Sequence, residues 1–374
     1  MTTQATTQKR QALTEAEKIY FASQWQLMWR KFVEHKLAII GGSVLAVAYF
    51  LAIFAQSLSP YPVNERSEYL LMSPTKVHFT HEGEWRAPFV YGVDKEVDAE
   101  TWQRVYVPNP EEIYTVHFFV HASEYRLLGL ISTDLHLFGV EEGGRAFLLG
   151  TDELGRDTLS RVLNAASISL SIGLVGVAIS FTLGCILGGI SGYYGGLPDL
   201  IIQRVIEFLT SIPTIPLWMA LSAAVPAHWD PIKVYMGITV ILSLRGWCGL
   251  ARVVRGKLLE LREADYVIAA RVAGTTDWKI ITQHLLPGFF SYLIVDVTLG
   301  IPGVILGETA LSFLGLGLRP PTISWGVLLQ QAQNVQTVSM HPWLLSPAVM
   351  VILVVLAFNF VGDGLRDAAD PYVV

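Results

Sequence analysis

Charge is scarce in this chain. Asp, Glu, Lys and Arg make up 16% of its 374 residues, against about 25% in an ordinary soluble domain. Beside a hydrophobic fraction of 52%, that deficit excludes a conventional soluble fold and makes length a poor guide to domain number. The net charge of −6 provides no general basic field, so nucleic acid is not an expected partner. Only two cysteines occur, Cys185 and Cys248, both inside apolar runs. There a thiol is a small buried hydrophobe rather than a metal or redox group. Motifs for soluble chemistry are missing too. There is no G-x-x-x-x-G-K-[ST] phosphate cradle, and the one Gly-Lys pair, Gly256-Lys257, lacks the upstream glycine and is followed by Leu258. H-E-x-x-H, G-x-S-x-G, C-x-x-C and G-x-G-x-x-G are also absent from any suitable context. The chain is therefore not expected to be an enzyme, and no residue is assigned as catalytic or metal-ligating.

What is present is apolar length. A bilayer core needs about 20 apolar residues of helix. Six segments qualify, at roughly 37–57, 167–192, 205–225, 233–254, 289–316 and 343–362. The third carries Ser211-Ile212-Pro213 and Pro216; the fifth carries Pro302, Gly303, Gly307 and Glu308. Both are expected to be interrupted, since a bundle tolerates proline and glycine where neighbours satisfy the freed backbone groups. The small residues Gly173, Gly176, Gly184 and Gly188 suit close packing of the second span. Lys9, Arg10, Lys18, Arg30, Lys31 and Lys36 precede the first span and place the N-terminus in the cytoplasm. The polar region before that span is too long for a cleaved signal peptide. Residues 20–36, with Trp25 and Trp29 four apart, read as an amphipathic helix at the interface. Arg245, Arg252, Arg255, Lys257, Arg262, Arg271 and Lys279 agree with a cytoplasmic 255–288.

The fold class that follows is an all-α polytopic membrane protein with six transmembrane helices and a small β-rich periplasmic insert. The expected units are a cytoplasmic segment 1–36, a first span 37–57, the insert 58–150, a core 151–364 with five further spans, and a cytoplasmic tail 365–374. The insert holds too many aromatics for disorder, among them Tyr91, Trp102, Tyr106, Tyr114, Phe118, Phe119, Tyr125 and Phe138. RVYV (104–107) and YTVHFFVH (114–121) are strand-like, with a turn at 108–110. It either receives a partner or merely caps the mouth. His78, His81, His117, His121 and His136 lie here, yet no cysteine or ordered carboxylate completes a metal site. Within or near the spans the carboxylates are few: Glu207, Asp296 and Glu308. They form no relay, and the two halves show no clear inverted repeat.

One cytoplasmic stretch is unusually ordered. YVIAARVAGTTDWKIITQHLLP (266–287) has a helix-like start, a break at Gly274, a second helix-like piece and a Leu-Pro end. Its A-A-x3-G pattern followed by Leu-Pro resembles the EAA loop of ABC importer permeases. Ala269, Ala270, Gly274, Leu286 and Pro287 match, while Ile268 stands where the motif has glutamate. LGTDELGRDTLSR (149–161), GYYGG with Asp199 and Arg204 (192–204), ETALSFLGLGLRPPTISWG (308–326) and NFVGDGLRDAADP (359–371) are similar to the C-type permease subunit of the oligopeptide/dipeptide (peptide/opine/nickel) importer family. The resemblance covers 147–374 closely and 20–57 loosely; the insert at 65–146 is longer than in most members.

The resemblance implies a type I ABC importer permease in a bacterial inner membrane, with both termini cytoplasmic. It implies a second homologous permease, two ATPase subunits and a periplasmic binding protein as partners. It implies no cofactor on this chain, with ATP and Mg on the ATPases. Arg262, Glu263, Ala269, Ala270, Arg271, Gly274, Asp277, Leu286 and Pro287 are then the residues that couple to the ATPases. Gly274 permits the turn, Asp277 suits a helix N-terminus, and Pro287 opens the next span. Pro213, Pro302 and Glu308 are candidates for the pathway or gate; Glu308 either lines it or bonds a freed backbone group. Gly150, Thr151, Asp152, Gly155, Arg156 and Asp157 form an outer motif. There Thr151 or Asp152 caps a helix, and Asp157 pairs with Arg156 or Arg161. The rivals are a secondary transporter or channel without an ATPase, and a membrane-anchored periplasmic binding module. For the elbow alone the rival is a basic amphipathic hairpin lying on anionic lipid. The solute is read as an oligopeptide, with an oligosaccharide or opine as the alternative.

Overall fold

Apolar runs of this length have one way to satisfy their backbone in lipid, which is to coil into helices. The computed structural model describes residues 24–97, 104–127, 130–141, 143–226 and 228–369. Lys9, Arg10, Lys18, Trp102 and the last five residues of the tail lie outside them. The amphipathic segment appears as α1, Gln24–Glu34, which buries Met28 and leaves Trp25 and Trp29 exposed. His35 breaks the chain and caps α2, Lys36–Ile53, by accepting a bond from the Ala38 amide at 3.1 Å. Three long helical units follow the insert directly. They are α3 (Thr158–Tyr194), the bent pair α4 (Gly196–Ser211) and α5 (Thr214–Ala223), and α6 (Pro231–Leu261). After α7 (Asp265–Val272), one helical run spans Asp277–Phe313, widening to a π-turn at Ile280–Leu285 and tightening at Leu286–Phe289 before α8, Phe290–Phe313. The short α9 (Trp325–Gln330) and the last span α10 (Ser346–Ala369) complete the core. Among the described residues, five helices are long and apolar enough to cross a membrane, or six if the bent pair counts as one span.

The two expected interruptions fare differently. The third span does break, by 90° between α4 and α5. Pro213 has no N–H to continue the ladder, and Ile212 before it is extended (φ −88°, ψ 130°). The carbonyl freed at Ile212 accepts a 2.7 Å bond from the Arg245 guanidinium. Arg245 therefore belongs to the middle of α6 as a half-buried strut, not to the cytoplasmic charges. Arg245→Leu is expected to leave that carbonyl unmet, at a cost of about 1–3 kcal/mol. A thermal melt in detergent should show the loss, and Arg245→Gln should recover part of it; a wild-type melt for the leucine variant would remove the strut from the account.

The fifth span does not break. α8 runs as α-helix through Pro302. Packing overrides local propensity here: Gly173 and Gly176 on α3 open a slot for Ile301, Val304 and Ile305 of α8. Farther along α3, Gly184, Gly188 and Gly192 bring it onto the backbone of α6 near Leu250, Ala251 and Arg255. α3 is the centre of the bundle. Its 37 residues extend about 55 Å, well beyond a bilayer core of about 30 Å.

Between α2 and α3 the chain forms an antiparallel meander in the order β1 (His78–His81), β2 (Glu84–Val97), β3 (Arg104–Leu127), β4 (Ile131–Val140). Phe89 pairs with Thr115 across β2 and β3, and Phe118 with Phe138 across β3 and β4. Its root is fixed to the helices. His136, buried, lies between two carbonyls, with Nδ1 2.7 Å from that of Ser59 and Nε2 2.9 Å from that of Ser123. With both ring nitrogens turned to carbonyls, this histidine is packing rather than ligand.

Candidate functional site

The elbow is assembled from ordinary helix-end chemistry. α7 carries Asp265 in its first turn and Arg271 in its last, each at the end of the helix dipole it favours. It stops in a Schellman motif. The Thr275 amide bonds the Ala270 carbonyl at 3.1 Å and the Gly274 amide bonds that of Arg271 at 3.0 Å. Gly274 sits at φ +78°, and a Cβ there would meet nothing within 4 Å. The backbone, not crowding, is what asks for glycine.

The inner side of the elbow buries Val267, Ile280, Ile281 and Leu285 against Val254 and Leu258 of α6. The end of α3 then staples its two arms. Tyr193 donates from its hydroxyl to Asp277 Oδ1 at 2.8 Å, and Arg271 lies over its ring with the guanidinium carbon 5.6 Å from the centroid. Asp277 is thus a tether as well as a dipole partner. Beside it, Asp199 in the first turn of α4 accepts both Arg255 Nε (2.5 Å) and Nη2 (2.6 Å), with Ser191 Oγ at 2.5 Å. This bidentate pair joins α3, α4 and α6 under the elbow. Asp199 stands out in the sequence by its motif and Arg255 only by its charge; no spacing pairs residues 56 apart. Arg204, quoted with Asp199, instead pairs with the exposed Glu207.

The outer side is apolar and uncovered. Ile268 is 44% exposed and Val272, one turn on, 85%; Tyr266 and Trp278 flank them at 46% and 57%. Ala269, Glu263 and Pro287 are exposed too, while Ala270, Arg262 and Leu286 are half-buried. Ala269 and Ala270 keep the middle of α7 slim.

The outer loop 150–157 is a buried knot. Thr151 donates from Oγ1 to the Tyr69 carbonyl at 2.5 Å and accepts the Met72 amide at 2.8 Å. Its own carbonyl accepts Trp343 Nε1 at 3.0 Å. Gly150 (φ +68°) and Gly155 (φ +70°) turn the chain where a Cβ would strike Met72 or Ser67. The two aspartates exchange their expected roles. Asp152 is the ion-pair member: Oδ1 accepts the Leu154 and Arg156 amides, and Oδ2 meets Arg156 Nη2 at 2.7 Å and Arg161 Nε at 3.5 Å. Asp157 is the cap of α3, with Oδ2 accepting the Ser160 amide at 2.8 Å and its hydroxyl at 2.6 Å. Neither Thr151 nor Asp152 caps a helix. The chain is extended at Asp157 (φ −63°, ψ 118°) immediately before the first helical residue, which is what a cap requires.

Asp157 is 3% exposed and its Oδ1 has no partner. Burial pushes its carboxyl up to about 6. A group raised in the folded state contributes stability that is full below its unfolded value of about 4 and is lost as pH climbs through 6. The span of about two units is worth roughly 2–3 kcal/mol. Asp157→Asn keeps an acceptor for Ser160 and removes the titration. The melting temperature of the wild type minus that of the variant should therefore fall as pH rises from 4 through 6. Parallel curves across that window would show that Asp157 does not titrate there.

Glu308 does not stand in a helix break, and its carboxylate meets serine hydroxyls rather than freed backbone. It is fully buried on an unbroken α8, and Oε1 accepts Ser312 Oγ (2.7 Å) and Ser324 Oγ (2.5 Å). Ser324 in turn caps α9, and Ser169 of α3 accepts the Trp325 amide at 3.0 Å. Glu308 therefore pins the start of α9 to α8 and α3. Pro302 is buried beside α3, whereas Pro213 is exposed at the bend.

The model for the binding-protein-dependent transport system inner membrane component matches residues 181–374, and that for the N-terminal TM domain of oligopeptide transport permease C matches residues 23–74. The dipeptide transport system permease protein DppC of Bacillus subtilis is 41% identical over 228 residues, covering 59% of this chain and 68% of that protein. The oligopeptide transport system permease protein OppC of Haemophilus influenzae is 42% identical over 223 residues, 59% of this chain and 69% of that one. The glutathione transport system permease protein GsiD of Pectobacterium atrosepticum is 39% identical over 226 residues, 60% and 73%. Among solved structures, a chain of the inward facing MetNI methionine ABC transporter aligns with a TM-score of 0.42 at 18% identity, over 56% of this chain and 96% of that one.

Proposed function

The chain belongs to the family of binding-protein-dependent transport system inner membrane components, and from that premise we propose that it is one permease of an ATP-driven importer of oligopeptides or similar solutes. It has the type I importer fold and lies in a bacterial inner membrane with both termini in the cytoplasm. A second, homologous permease supplies the other half of the pathway. Two ATPases hold the ATP and Mg, and a periplasmic binding protein delivers the solute. The peptide class is carried over from the dipeptide and oligopeptide permeases it resembles.

The observation that carries the mechanism is the elbow. Its arms are tied to the ends of α3, α6 and α8 by Tyr193, Asp277 and the apolar cluster around Leu258, while its far side is bare and apolar. A partner that grips the far side moves the spans as a rigid body. Solute access then follows from which of two arrangements the partners bind more tightly. A hairpin resting on anionic lipid would account for an exposed apolar face but leaves the Tyr193–Asp277 staple without a task.

Reconstitution tests the reading. Vesicles holding this chain with its permease partner, ATPases and binding protein should accumulate a labelled oligopeptide only with ATP. ATP-independent uptake by the purified chain alone would instead favour a secondary transporter or channel. Deleting residues 70–140 separates the remaining rival: transport that survives makes the sheet accessory, and a binding module would lose all activity.

A further inference from the structure

A cavity of about 710 Å³ lies between α2, α3, the start of α6 and the loop at 321–323. Nothing derived above employs it. Its one charge and its side-chain amides stand at one end, where Gln56 and Asn64 follow α2, Asn164 stands early on α3, and Arg126 enters from the end of β3. Along α3 the aliphatic Ile168, Leu170 and Leu174 join the lining, interleaved with the uncharged Ser167 and Ser171. From Asn164 to Leu174 the helix advances about 15 Å. Arg126 is the sole charged residue of the lining, and its side chain has no ion pair or hydrogen bond among the described residues. The Tyr49 hydroxyl is buried there without a partner as well.

We propose that this cavity holds one anionic phospholipid of the surrounding bilayer, its phosphate on Arg126 and an acyl chain along Ile168, Leu170 and Leu174. A lone guanidinium at the polar end matches a phosphate in charge and in its planar array of donors. The volume is in the range of small-ligand cavities, about 300–1,000 Å³. Entry is lateral: Ile53 and Leu174 at the cavity are each 46% exposed, and Phe50 continues the same apolar surface along α2 at 54%. A peptide fits the lining less well, because no Asp or Glu is there to meet its amino group. The lipid would join β3 to α2 and α3, and so fasten the sheet to the membrane spans.

Native mass spectrometry of the full-length chain in detergent, with whatever partners co-purify, tests this with two probes of identical acyl chains. Phosphatidylglycerol should be retained at one per chain and phosphatidylcholine should not. R126Q should weaken phosphatidylglycerol retention about tenfold, as expected for loss of a charge-assisted contact. Arg126 is exposed and unpaired, so its lipid-free melting temperature should not move. L174W, which fills the aliphatic end, should block retention of the same lipid. Equal retention of the two lipids, or unchanged retention by R126Q, overturns the proposal. Displacement of phosphatidylglycerol by an oligopeptide mixture also overturns it, by making the cavity a solute site. None of these outcomes depends on coupling to an ATPase.

Discussion

Replacing Gly188 with leucine should abolish the packed core, with folded protein recovered from membranes falling to a small fraction of the wild type. At this position an added Cβ would lie 2.6 Å from the Ala251 carbonyl oxygen, 2.9 Å from its Cα and 2.8 Å from the Val254 Cβ. Two of those atoms are backbone, so no rotamer change relieves the clash and α6 itself must move. Overpacking of a side-chain contact costs typically about 1–3 kcal/mol; displacing a helix belongs at or above the upper end. The neighbouring glycines magnify the loss, because Gly184 and Gly192 hold the same helix at one-turn intervals. Gly256→Leu supplies the control. It places the same side chain on α6, where a Cβ meets nothing within 4 Å, and should leave size-exclusion profile and melting temperature nearly unchanged. If Gly188→Leu runs as a sharp monodisperse peak with a wild-type melt, the close approach of α3 and α6 does not hold the core.

These contacts also mark where sequence reading stops. The six apolar runs are legible because lipid imposes a length on them. Their ends are not: α3 begins at Thr158 rather than 167, since its first turns carry Arg161 and Asn164 and fall outside an apolar window. Pro213 and Pro302 obey the same local rule, yet only the first ends a helix. The difference lies in what faces them, which is an arginine in reach of the freed carbonyl at one and a slot between α3 glycines at the other. Gly274 is legible because a left-handed turn has few other occupants. The Tyr193 staple is not, because its partners lie 78 and 84 residues away in sequence. Asp152 and Asp157 are five apart in one loop, and composition does not say which of them stands where the chain becomes extended. Glu308 was read as functional by the general rule for carboxylates within a span. Two serines, Ser312 on α8 and Ser324 at the start of α9, give it a structural task that no spacing in the sequence announces.

The elbow leads to the other large effect. Val272→Asp should leave the chain folded and strip it of its ATPases. Val272 is 85% exposed at the end of α7, so a carboxylate there has water on the isolated subunit and little reason to destabilise it. In a complex gripped through this face, the same carboxylate is buried without a partner. Truncating or mispairing a charge in an interface costs about 2–5 kcal/mol, which is a loss of roughly 30- to several-thousand-fold in affinity. Ile268 sharpens the expectation. It occupies the place of the motif's glutamate and stands one turn from Val272, so the two make an apolar ridge where the resemblance implies a charge. Ile268→Glu restores that charge and should weaken the ATPases less than Val272→Asp does. Gly274→Val attacks the elbow from the other side: a β-branched residue forced to φ +78° costs at least about 1–2 kcal/mol, so the Schellman turn opens and the two arms lose their angle. That variant should retain ATPases partially but uncouple them, hydrolysing ATP without oligopeptide uptake in vesicles. Pull-down of the ATPases, solute-stimulated hydrolysis and the melting temperature of the lone subunit distinguish the cases. Full ATPase retention by Val272→Asp, with normal uptake, would move the site of coupling away from α7.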